Sequence, residues 1–152
     1  MNTQFIHLQE KSGLFSVTLN EQNLALNLAR EKLVADIQHT PATKEEIEAL
    51  ILVIENELEK YSEMFKPMQN LTIVSDIPAL AEIARLGFGQ SKENAIVISQ
   101  EQIEQLFTRF SRVINGYPAK AEGLPESVDF AVYLTLIREI MHHWHIEWLR
   151  CE

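Results

Sequence analysis

With a single cysteine, Cys151, the 152-residue chain cannot form an internal disulfide, so a disulfide-stapled scaffold is excluded. Glycine and proline are sparse, five residues each, and neither gathers into a linker or low-complexity tract. Basic residues are also in deficit: 13 Lys and Arg stand against 22 Asp and Glu, a formal net charge of −9. Such a surface repels nucleic-acid backbones, and Arg109, Arg112 and Lys120 are the nearest approach to a basic stripe, so no nucleic-acid partner is expected. The longest apolar run, residues 49–54, is far too short to span a bilayer, and residues 1–13 lack the basic-then-apolar order of a secretory leader. No membrane partner is expected, and the reading is of a soluble, cytoplasmic protein. A single domain over residues 1–152 can bury ~70 % of the surface its unfolded chain exposes, so no cofactor is needed to hold it together.

The familiar chemical signatures are missing as well. There is no G-x-G-x-x-G, no Walker loop, no G-x-S-x-G and no C-x-x-C, which removes the usual anchors for dinucleotide, nucleoside-triphosphate and α/β-hydrolase readings. What is present is a fold pattern. Residues 71–75 and 94–99 are β-branched apolar runs, and the helical pattern between them predicts a βαβ unit with its two strands parallel and central. Ser75 or Asp76 is expected to cap that helix, Pro78 lies in its first turn, and Gly87 is expected to end it in the left-handed conformation, with Phe88 folding back on Ile83 or Ala84.

Around this unit the chain reads as follows. Residues 4–8 and 14–19 predict a hairpin whose loop holds Gly13. Leu26, Ala29, Leu33 and Ile37 predict a helix over residues 20–38. Thr43 and Glu46 form a capping box for a helix with Ile47, Leu50, Ile54, Leu58 and Phe65 on one face, and Ser99 and Gln102 form another. Residues 117–126 make a long connection containing Pro118, Gly123 and Pro125, and Ser127 or Asp129 begins the last helix. The expected fold class is α/β: a small mixed sheet, built from the N-terminal hairpin and a parallel βαβ unit, covered by amphipathic helices in the order ββααβααα.

Three surfaces carry candidate function. Residues 44–63 hold seven glutamates against two lysines, so Glu48, Glu55, Glu59 and Glu63 are expected to form an acidic face, either simply solvated or docking a basic protein partner. The carboxyl edge of the two central strands is expected to be lined by Ser75, Asp76, Ser99 and Gln100, since ligands in open α/β sheets collect at that edge and meet helix amino termini there. The segment Ser75-Asp76-Ile77-Pro78-Ala79-Leu80 resembles one in retaining glycosyltransferases, where a helix amino terminus meets nucleotide-sugar phosphates. That likeness covers about ten residues of a chain too short for a two-domain glycosyltransferase, so only the general rule is kept. Finally, Glu139, His142 and His143 are the candidate metal ligands of the last helix. Its buried stripe is expected to be Phe130, Tyr133, Leu134, Ile137, Ile140, Met141, Trp144 and Trp148, with the acid and histidine residues facing solvent. No second Glu-x-x-His completes a di-metal set, so a solvated polar face is the expectation there.

These features rank a non-catalytic protein-binding or regulatory module first. A small-molecule or phosphate-ester binder or enzyme at the strand carboxyl edge is the alternative, and a metal-dependent activity on the last helix comes third. Self-association is compatible with any of them.

Overall fold

The computed structural model describes residues 3–152. Three strands lead the chain: β1 (Gln4–Lys11), β2 (Leu14–Leu19) and β3 (Gln22–Ala29). The helices α1 (Arg30–Ala35), α2 (Lys44–Leu58) and α3 (Ser62–Phe65) follow, with a 3-10 turn at Glu59–Tyr61, and then β4 (Leu71–Ser75) and α4 (Pro78–Leu86). A second hairpin, β5 (Gln90–Lys92) and β6 (Ala95–Ser99), precedes α5 (Gln100–Ile114), α6 (Ala119–Glu122), α7 (Val128–His143) and β7 (Trp148–Cys151). All seven strands form one mixed sheet in the order β3-β2-β1-β4-β7-β6-β5. The fold is α/β, as the sequence pattern predicts.

Three tight turns set the strand register. Each joins its strands through two residues with positive φ: Ser12 and Gly13, Asn20 and Glu21, Glu93 and Asn94. That combination is the type I′ geometry, whose twist matches the right-handed twist of paired strands. The turn at Asn20-Glu21 overturns the helix expected over residues 20–38. Leu24, Leu26 and Leu28 are buried while Ala25 and Asn27 are not, so the apolar residues repeat every second position and build a strand before the short α1 begins.

The parallel βαβ unit is also corrected. The β4 and β6 strands share the sheet but run antiparallel, with β7 between them. After α4 the chain enters edge strand β5, and the Glu93-Asn94 turn reverses it into β6, so the direction expected of residues 94–99 is inverted. β7 in turn takes the place next to β4, parallel to it. The sequence pattern, with Trp148 on the apolar stripe, places this stretch in the tail of the last helix instead. Helix α7 stops at His143 because Trp144 is driven into the core and His145 turns the chain at positive φ.

Burial shows how the layers are arranged. Ile6, Leu8, Ile73, Ile98 and Leu149 point into the helices and are fully enclosed. The opposite face is open: Phe5 is 50 % and Trp148 44 % exposed, beside half-buried Val74 and Val97. Strand residues chiefly line a shallow depression of about 610 Å3 there. Val74 and Val97, expected to be buried in a central strand, are therefore only half so, and Ile96, on the inner face with Ile98, is half-buried near the β5-β6 edge. Both capping boxes form as expected, Thr43 with Glu46 and Ser99 with Gln102, and Ser127 caps α7. Helix α4 differs: its N-cap is Ile77 rather than Ser75 or Asp76, and Gly87 keeps a negative φ while Phe88 turns outward under Arg109. Gly89 is needed for space, since a Cβ there would meet the Ala84 carbonyl oxygen at 2.8 Å.

Candidate functional site

Because β1, β4 and β7 are parallel neighbours, their carboxyl ends emerge at one edge of the sheet. The Leu8-Gln9 stretch of β1, the Ser75-Asp76 connection into α4 and Glu152 meet there, while β1 runs on to Lys11 before the Ser12-Gly13 turn. A cleft of about 140 Å3 at this edge is lined by His7, Gln9, Ser75, Asp76 and Glu152. Ser75 is buried; its hydroxyl donates to the Leu8 carbonyl at 2.8 Å and accepts from the Ile77 N–H at 3.3 Å. It ties β1 to β4 and starts the turn into α4, while Asp76 stands exposed beside it. Adjoining the cleft through Glu152 is a groove of about 570 Å3 between α4 and the β5-β6 turn, with Arg85, Ser91, Lys92 and Asn94 along it. Burial pushes the Cys151 thiol at its floor up to about 12, so it stays protonated and is no nucleophile.

Ser99 and Gln100 lie elsewhere. With β6 antiparallel to β7, the end of β6 falls at the opposite edge of the sheet. Ser99 is engaged in its capping box, and the Gln100 N–H donates to the Glu147 carbonyl at 3.0 Å. The four residues predicted to share one edge therefore divide into two pairs, and only Ser75 and Asp76 line the cleft. His7, Gln9, Arg85 and Lys92 were missed. His7 and Gln9 reach the cleft only through a strand pairing formed across 65 or more residues of chain, such as His7 with Val74, whereas Arg85 and Lys92 follow Ser75 on α4 and β5.

The hairpin that borders this edge is anchored from beneath. Tyr133 of α7 donates its hydroxyl to Glu10, and Arg30 reaches the same carboxylate at 3.2 Å. Burial, reinforced by the Glu10 carboxylate, raises the Tyr133 pKa above the ordinary phenol range, which keeps the hydroxyl a donor.

At the other end of α7 the expected solvated face is corrected. Glu139 is only 2 % exposed, because α2 and α5 pack over it. The Nε2 atom of His143 lies 3.2 Å from Glu139 Oε1 and 3.0 Å from Oε2 of Glu55 on α2. Arg138 holds the other oxygen of Glu139 at 2.7 Å, reaches Glu104 of α5 at 3.1 Å and lies over the Phe107 ring. Of the proposed ligands, Glu139 and His143 come together. His142 does not join them; it is exposed, its ring edge-on to His143. The third member is Glu55, one of the four residues assigned to the acidic face. Glu48, Glu59 and Glu63 remain exposed on the outside of α2 and beyond. Another glutamate of α2, Glu57, turns inward and accepts the outward N–H of Asn27 on edge strand β3 at 2.9 Å.

No family model matches the chain, and no curated protein matches it in sequence. Solved structures do match in fold. An Aquifex aeolicus Ppx/GppA enzyme is similar over 100 % of this chain and 54 % of its own, with a TM-score of 0.68 at 14 % identity. The type II variant of the Aquifex aeolicus Ppx/GppA phosphatase gives 0.68 at 15 %, again over 100 % and 54 %. An exopolyphosphatase from Cytophaga hutchinsonii gives 0.69 at 10 %, over 99 % of this chain and 53 % of that one. The chain thus spans about half the length of these structures, and the likeness is one of fold. It overturns the emphasis on non-catalytic protein binding, since the structures that share this fold are named as phosphatases and related enzymes. No helix among the described residues is long and apolar enough to cross a membrane.

Proposed function

We propose that the chain binds phosphate esters or phosphoanhydrides at the carboxyl edge of β1, β4 and β7 and contributes to their hydrolysis. The observation that carries this reading is the convergence of three parallel strand ends on one cleft beside the amino terminus of α4. Ligands of open α/β sheets gather at such an edge, and a helix amino terminus favours negative charge. The fold shared with the Ppx/GppA structures supports the same chemistry.

Each residue has a role that its type can fill. Arg85 and Lys92 in the groove supply the positive charge that a phosphate chain needs in a protein of net charge −9. The Asp76 carboxylate would take a proton from the attacking water, and His7 in its imidazolium form would give one to the departing oxygen. A cytoplasmic setting suits a chain whose lone thiol is buried and free.

The test is release of orthophosphate from inorganic polyphosphate and from p-nitrophenyl phosphate by the purified chain, with and without magnesium. Asp76→Asn should lower the rate about 100-fold, within the range of general-base contributions, and Arg85→Ala should raise the KM for polyphosphate. Release unaffected by either substitution, or no release from any phosphate compound, would refute the reading.

A further inference from the structure

We propose that Glu55, Glu139 and His143 form a site for one divalent transition-metal ion of the zinc class, fastening α2 to α7. The site lies at the end of α7 remote from the phosphate cleft, and the proposal is independent of that chemistry.

Two features point to it. Glu55 Oε2 and Glu139 Oε1 converge on the same His143 nitrogen, at 3.0 and 3.2 Å. Carboxylate oxygens and an imidazole lone pair are all electron-pair donors, so what stands between them is either a proton on Nε2 or a metal ion, and the charge of the group decides between the two. All three donor atoms lie within 4.8 Å of one another, and tetrahedral zinc bonds of about 2.0–2.2 Å set such atoms roughly 3.4 Å apart. The two pairs with Nε2, at 3.0 and 3.2 Å, are already near that spacing, and the two carboxylates need to close by no more than about 1.4 Å.

Charge supplies the second feature. Three carboxylates, those of Glu55, Glu104 and Glu139, face one guanidinium, that of Arg138, and Glu139 is almost wholly enclosed. With a neutral imidazole the group carries a net charge of −2. A proton on His143 would leave one negative charge, whereas a divalent ion cancels both, and uncompensated charge in a partly buried setting is costly. Arg138 already performs the outer task that a metal ligand requires, holding the second oxygen of Glu139 so that the first points to the imidazole. Glu55 and His143 retain 39 % and 23 % exposure, which leaves a path for the ion and a position for water as a fourth ligand.

The experiment is a calorimetric titration of chelator-treated protein with zinc, alongside thermal melts and imidazole nitrogen NMR. Expected are one bound equivalent, a raised Tm, and a large shift of His143 Nε2 but not of the His142 ring. Glu55→Gln sits on a half-exposed helix position and should keep the fold while weakening zinc at least tenfold. His143→Ala should abolish binding, and His142→Ala should leave it intact. Absence of saturable zinc binding, binding indifferent to Glu55→Gln and His143→Ala, or an Nε2 that stays protonated throughout the titration would overturn the proposal.

Discussion

The two ends of α7 use polar side chains in opposite ways. At its carboxyl end, Glu55, Glu104, Arg138, Glu139 and His143 are drawn together across three helices, and Trp144 beside them is fully enclosed, stacked on Phe65 at 4.1 Å and donating its indole N–H to the Leu58 carbonyl. At its amino end, Tyr133 and Arg30 secure the hairpin through Glu10, and the groups further out, His7, Gln9 and Asp76, line a cleft that faces water. One end spends its chemistry on holding helices together. The other holds its backbone rigid and leaves side chains available to a ligand. Removing a group from the first end should therefore cost stability, and removing one from the second should cost binding.

The largest effect is expected at the closed end. Trp144→Ala should destabilise the protein by about 3–5 kcal/mol, the range for deleting a large enclosed aromatic, read as a fall in the denaturation midpoint. A loss under about 1 kcal/mol would mean that this end is not the packed clasp described.

Ser75 tests where the boundary lies, because it sits at the open edge yet is itself enclosed. Ser75→Ala removes the donor to Leu8 and the acceptor for Ile77, and should cost about 1–3 kcal/mol, the range for stranding buried polar partners. Asp76→Asn, one residue away and exposed, should stay within about 0.5 kcal/mol of the parent. Equal losses for the two would erase the distinction between scaffold and site.

Much of this division follows from how far apart in the chain the partners lie. Capping boxes at Thr43 and Ser99 are legible because their two residues are three positions apart, and the apolar face of α2 because it repeats within one helix. The strand at Gln22–Ala29 was also legible in principle: its leucines alternate with period two, but the longer spacings among Leu26, Ala29 and Leu33 fit a helix as well. The insertion of β7 was not legible, since it rests on pairings between segments some 50 residues apart or more, and the reversal into β6 hides in a local Glu93-Asn94 turn that lacks the glycine such turns usually show. The same holds for the sites. Glu139 and His143 stand out on one helix, whereas Glu55 and Glu104 join them only after α2 and α5 have packed.

The smallest stability effect is pH-limited. Hydrogen bonds from the Thr43 and Gln38 N–H groups, helped by His39, hold the Glu46 carboxyl down at about 2, against an ordinary 4.5. A carboxyl depressed on folding contributes stability that is complete above the ordinary value and fades as pH falls from 4.5 toward 2. Glu46→Gln should flatten the acid limb of a pH–stability profile in that window and leave its shape above pH 6 unchanged; an identical acid limb in the variant would contradict the assigned cause.

The central claim, that ligand chemistry belongs to the carboxyl edge of β1, β4 and β7, is tested most directly by amide NMR titration with tripolyphosphate. The account predicts saturable shifts at Gln9, Asp76, Ala79 and Lys92, with Ser99 to Gln102 and the surroundings of His143 unmoved. Shifts confined to the Ser99 edge, or none at any concentration, would contradict it.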